Sequence, residues 1–92
     1  MQKEHFETVI AQMGPTFDSH AFIERFMSMY ESVYVGQLSG YSDAKASFRT
    51  LHAQIGRYLA LHAEELGIRP SGPVPSKNIK GNETYCQNWE KL

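Results

Sequence analysis

Apolar residues recur at spacings of three and four over residues 2–66, and this periodicity predicts three amphipathic helices. The first helix spans residues 2–13. Gly14 and Pro15 end it, because glycine accepts the left-handed conformation of a helix end and proline cannot continue a helix. The apolar stripe of this helix comprises Phe6, Val9, Ile10 and Met13.

The second predicted helix begins after Asp18, whose carboxylate can accept a hydrogen bond from an early backbone N–H. Phe17 and Phe22 flank this cap at the spacing of a hydrophobic staple, which fixes the direction in which the chain enters the helix. Glycines near the far end favour a stop between residues 35 and 39. The apolar stripe comprises Phe22, Ile23, Phe26, Met27, Tyr30, Val33 and Tyr34.

The third predicted helix is the longest, at roughly 24 residues or about 36 Å. Ser42 or Asp43 is its expected cap, and Gly67 followed by Pro70 is its expected stop. Its apolar stripe comprises Phe48, Leu51, Ile55, Leu59, His62 and Leu66.

Residues 70–92 differ in character, since they hold three of the four prolines, and proline favours extended backbone. One interpretation is a β-hairpin that pairs residues 76–79 with residues 84–89 across a Gly-Asn turn. The other is a short helix opened by a capping box at Thr84. The turn favours the hairpin, and in either case Trp89 should anchor the segment on the helices because a large indole gains from burial.

These elements predict a mostly α fold, with a compact three-helix core over residues 1–69 and residues 70–92 folding back as part of the same domain. The composition agrees, since 41% of the 92 residues are hydrophobic and the net charge is −1, which excludes wholesale disorder and a strongly basic DNA-coating protein. A domain of this size has a thin stability margin, so a homodimer is expected on energetic grounds.

Charge is distributed unevenly along the chain. Residues 1–43 carry two Lys or Arg against six Asp or Glu, whereas residues 44–92 carry seven against four. The near-neutral total therefore hides an acidic half of net charge −4 and a basic half of net charge +3. The two halves could complement each other within one chain or across a dimer, or the basic half could bind phosphates.

The third helix offers the clearest candidate binding surface. At 100° per residue its polar face lies opposite the apolar stripe, and alanines separate the long side chains, as in a helix that reads a nucleic-acid groove. Downstream lysines would contact the phosphate backbone. The predicted contacts to nucleic acid or phosphate are Arg49, Thr50, Gln54, Arg57, Lys77 and Lys80.

Gly56 is the candidate interface residue. A glycine within a helix costs about 1 kcal/mol relative to alanine, and a close approach by another helix would explain it. The alternative to nucleic-acid binding is therefore a protein–protein adaptor or structural homodimer that uses Gly56 and the aromatic side of the second helix.

The chain shows no motif for catalysis or metal binding. Its four histidines, His5, His20, His52 and His62, include no pair three or four positions apart, so neither a metal site nor a cofactor is predicted. The single cysteine, Cys86, excludes an internal disulfide and a zinc site built from cysteines, and is interpreted as a buried structural thiol. The last-ranked hypothesis is an enzyme that uses His52 or His62 with Cys86 or a carboxylate under the tail.

Three segments, residues 17–23, 48–57 and 76–82, together with Cys86 and Trp89, resemble small uncharacterised bacterial proteins, including those encoded on mobile gene cassettes. The basic tail beside a polar helix is also similar in outline to winged-helix domains. The first resemblance implies a small bacterial helical protein and no particular activity.

The predicted function is that of a small binding module, with nucleic acid or a protein as partner. No apolar run reaches the ~18–20 residues of a membrane span, so no membrane contact is predicted. The charged N-terminal segment lacks a secretory apolar region, so the expected location is the cytoplasm.

Overall fold

The computed structural model describes residues 1–39, 44–77 and 81–92, without the side chains of residues 44–48. Lys80 and the predicted caps Ser42 and Asp43 lie outside the described residues. The elements in chain order are α1 (Lys3–Gln12), β1 (Thr16–Asp18), α2 (Ser19–Met29), α3 (Glu31–Leu38), α4 (Ala44–Leu61), α5 (Ala63–Leu66), β2 (Ile68–Lys77) and β3 (Glu83–Lys91).

The fold is α+β, so the predicted mostly α, three-helix architecture is wrong. Within the described residues there are five helices and a three-stranded antiparallel sheet in the order β1-β3-β2. The second predicted helix is interrupted at Tyr30 and the third at His62, where the backbone leaves helical geometry. None of the described helices is long and apolar enough to cross a membrane.

The predicted start of the second helix and the predicted stop at Gly67 are both formed. Asp18 caps α2, since its Oδ1 accepts a hydrogen bond of 2.8 Å from the backbone N–H of Ala21. Phe17 and Phe22 form the staple, with ring centroids 6.1 Å apart. Gly67 ends α5 in the left-handed conformation, with φ of 70°.

The core lies between the helices and one face of the sheet. Its centre is Phe6 of α1, whose ring lies 5.5 Å from Phe22, 5.7 Å from Phe26 and 4.1 Å from Tyr58, measured between centroids. Because these partners belong to α2 and α4, one side chain of α1 ties three helices together. The fully buried side chains are Phe6, Val9, Phe22, Phe26, Leu51, Ile55, Leu59 and Ile68.

The tail forms a hairpin, as predicted, and the alternative helix opened at Thr84 is wrong. The pairing is longer than the predicted match of residues 76–79 with residues 84–89, and residues 78 and 79 lie outside the described residues. Strand β2 pairs with β3 over its whole length, with Lys77 opposite Glu83 at one end and Ile68 opposite Lys91 at the other. The prolines of β2 are accommodated because it is an edge strand, where half of the backbone N–H groups need no partner. At Gly72, with φ of 105°, the register shifts by one residue and the strand bulges.

Trp89 anchors the tail as predicted. It lies on the central strand, opposite Phe17 of β1, and is 2% exposed. Its indole Nε1–H donates to Ser19 Oγ over 3.0 Å, and the Ser19 hydroxyl donates to the Gln87 carbonyl over 3.1 Å. Strand β3 is therefore fixed to the first turn of α2, so that residues about 70 positions apart in the sequence are in contact.

Candidate functional site

The predicted binding face of α4 is exposed. Arg49, Gln54 and Arg57 are solvent-exposed and Thr50 is half-buried. On the opposite side of the helix, Leu51, Ile55 and Leu59 are fully buried. The 100° periodicity thus separates core from surface on α4 as the sequence predicts.

Arg49 and Arg57 make no ion pair with a carboxylate of the described residues. Arg69 of the hairpin does have a carboxylate partner, since its Nε donates to Glu90 Oε2 over 2.8 Å. The guanidinium groups of Arg49 and Arg57 are therefore unpaired among the described carboxylates, whereas that of Arg69 is paired with Glu90 on β3.

The structure gives less support to the predicted roles of Lys77 as a phosphate contact and of Gly56 as an interface residue. Lys77 is exposed at the tip end of β2, where its cross-strand partner is Glu83, and opposite charges at such positions attract each other. A Cβ on Gly56 would meet no atom of the described residues within 4 Å, apart from its own helix. The close approach expected at Gly56 is therefore not made within the described part of this chain.

The structure brings together a cluster that the sequence analysis missed. Asp18, His20 and Cys86 are each half-buried, and one potential ligand atom of each lies within 4.8 Å of the other two. His20 Nδ1 is buried and has no hydrogen-bond partner among the described residues. The helical spacing of histidines could not show this cluster, because it depends on pairing between β1 and β3. Only the register of β1 against β3, had it been known, would have indicated that residues 18, 20 and 86 meet.

A second histidine lies in a polar pair between α3 and α4. His52 Nε2 is 2.7 Å from the Tyr34 hydroxyl, and Tyr34 belongs to the buried core. Burial lowers the pKa of His52 below its usual 6.5, with a smaller contribution from His20, and burial raises the pKa of Tyr34. Both shifts favour the uncharged forms of the two side chains.

The catalytic pairings considered for Cys86 are not the ones observed. His52 is bonded to Tyr34, and His62 Nδ1, which is buried and has no hydrogen-bond partner among the described residues, lies 3.5 Å from Glu65 Oε2. Among the described residues, the histidine that clusters with Cys86 is His20.

An open groove of about 510 Å³ lies between α2 and α3. Its lining is mostly apolar and includes Tyr34, and the acidic residues Glu24 and Glu31 also line it. Val35, which also lines it, is 54% exposed, so apolar surface faces solvent here.

Comparison with known proteins adds no family to this description: no protein-family model matches the chain, and no significant match was found among curated proteins or solved structures.

Proposed function

We propose that this chain is a nucleic-acid-binding module whose helix α4 contacts the ligand. The observation that carries the proposal is the pair of exposed arginines, Arg49 and Arg57, which have no carboxylate partner among the described residues. They are eight positions apart, about 12 Å along a helix axis, which is comparable with the width of about 12 Å of the major groove of B-DNA.

The order of elements supports the same proposal. The hairpin that follows α4, the longest described helix, is similar in outline to the wing of winged-helix domains. The hairpin would lie beside the bound helix, with Lys77 near the phosphates. The cross-strand position of Glu83 makes Lys77 the weaker contact.

The double substitution Arg49→Ala and Arg57→Ala should weaken binding to duplex DNA. It should also lower the slope of log K against log salt concentration by about 2, because each phosphate contact releases roughly 0.9 counterions. The measurement is fluorescence anisotropy with labelled DNA and RNA at several salt concentrations.

Arg69→Ala is the matched control, since it removes the same charge from a residue that Glu90 already pairs. This variant should bind almost as the parent does. Absence of salt-sensitive binding by the parent to either nucleic acid, or an equal loss in Arg69→Ala, would contradict the proposal.

A homodimer is the second candidate, favoured by the apolar groove between α2 and α3. Glu24 and Glu31, which line the groove, are opposite in charge to the arginines that a second copy exposes on α4. Sedimentation at several concentrations should then show a dimer that Val35→Glu disrupts. Tyr85→Glu, at a side chain 72% exposed on β3 and outside both α4 and the groove, should leave it intact. A parent chain that stays monomeric at every concentration would contradict this candidate.

A further inference from the structure

We propose that Asp18, His20 and Cys86 form a binding site for a divalent transition-metal ion of the zinc class, where α2 begins beside β3. The proposal is independent of nucleic-acid binding, because none of the three residues lies on α4.

The sheet register explains why residues from opposite ends of the chain meet here. Phe17 lies opposite Trp89 and Asp18 opposite Asn88, so each step forward along β1 corresponds to one step back along β3. Continued by two positions, this register brings position 20 to position 86. The hydrogen bond from the Ser19 hydroxyl to the Gln87 carbonyl shows that the close approach persists beyond β1.

The three groups are the ligand types that zinc-class ions prefer: a carboxylate oxygen, an imidazole nitrogen and a thiolate sulfur. Tetrahedral coordination with bonds of ~2.0–2.3 Å places ligand atoms about 3.3–3.8 Å apart. The ligand atoms here lie within 4.8 Å of one another, so rotations that move them by about 1 Å would complete the site. Binding would release the thiol proton of Cys86, and the two anionic ligands would balance the charge of the ion.

The unpaired nitrogen of His20 is the second observation. A buried nitrogen without a hydrogen-bond partner is unfavourable, and a bound ion is one of the ordinary explanations for it. A metal bound through Nδ1 would supply the missing partner of His20.

The surroundings of the cluster would hold the ligands in place. The bond from Ala21 N–H to Asp18 Oδ1 orients the carboxylate. The hydroxyl of Ser19, bonded to the Gln87 carbonyl and the Trp89 indole, ties the residue before His20 to the residue after Cys86. Because all three ligands are only half-buried, a water molecule could occupy the fourth position.

Titration of the full chain with Co²⁺ alone tests the site. The chain has one cysteine, so a thiolate-to-cobalt charge-transfer band reports Cys86 alone. We expect this band together with the visible bands of four-coordinate cobalt, one ion per chain, and loss of both on addition of Zn²⁺. Cys86→Ala and His20→Gln should each weaken binding by at least about a hundredfold, beyond the 10–100-fold typical of residues that only support a ligand.

Asp18→Asn separates metal binding from folding, because asparagine caps a helix about as well as aspartate but lacks the charge. It should keep the helical circular dichroism of the parent and lose metal affinity. His62→Gln removes a histidine outside the cluster and should bind cobalt as the parent does. No charge-transfer band in the parent, half an ion per chain, or equal affinities for His20→Gln and His62→Gln would each overturn the proposal.

Discussion

Replacing Phe6 by alanine is expected to lower the free energy of unfolding by about 3–5 kcal/mol, a large part of the ~5–15 kcal/mol that stabilises a small domain. Phe6 is fully buried, and its ring contacts Phe22, Phe26 and Tyr58. The truncation would leave a cavity where α1, α2 and α4 meet, and three helices cannot all move to fill it.

Urea titration followed by far-ultraviolet circular dichroism measures this change. Leu61→Ala is the control, because it also truncates an apolar side chain to alanine, but at a position of α4 that is 72% exposed. Its effect should stay within about 0.5 kcal/mol. A loss below about 1 kcal/mol in Phe6→Ala would show that the aromatic cluster is not the centre of the core.

Helix signals were predictable because they are local. The cap at Asp18 and the left-handed stop at Gly67 each depend on a few neighbouring residues, and both are formed as predicted. The interruptions at Tyr30 and His62 were not predictable, since neither glycine nor proline occurs there and the apolar stripe runs through both positions. Tertiary packing decides such breaks.

Of the sheet, the hairpin was predictable from the sequence and strand β1 was not. The Gly-Asn turn indicates the hairpin, but the three residues of β1 are too few to show an alternating pattern. They become a strand because β3 offers them hydrogen bonds, and β3 lies some seventy positions later in the chain. The prolines of β2 also argue against a strand until its place at the edge is known.

The same distinction applies to the two candidate sites. Exposure of Arg49 and Arg57 follows from the helical repeat, which is a property of one segment. The cluster of Asp18, His20 and Cys86 follows from a long-range register. A search for ligands at helical spacing compares residues of one helix only, so it could not find a cluster whose members lie on β1, α2 and β3.

Trp89→Ala is expected to lower the free energy of unfolding by about 3–5 kcal/mol and to release the sheet from the helices. Trp89 is 2% exposed on the central strand, between Phe17 of β1 and Pro70 of β2. Its loss removes packing on both sides of β3 and the bond to Ser19. Far-ultraviolet circular dichroism during urea unfolding measures the effect, since the only tryptophan is the residue replaced.

Two smaller substitutions separate the packing of Trp89 from its hydrogen bond. Trp89→Phe keeps an aromatic ring but removes the N–H donor, and Ser19→Ala keeps the indole but leaves its N–H without this acceptor, so each should cost about 1–3 kcal/mol. Because both remove one shared bond, the double variant should cost less than the sum of the two. If Trp89→Ala were no more destabilising than Ser19→Ala, the hydrogen bond rather than burial would anchor β3, and the indole would be replaceable by any donor of similar reach.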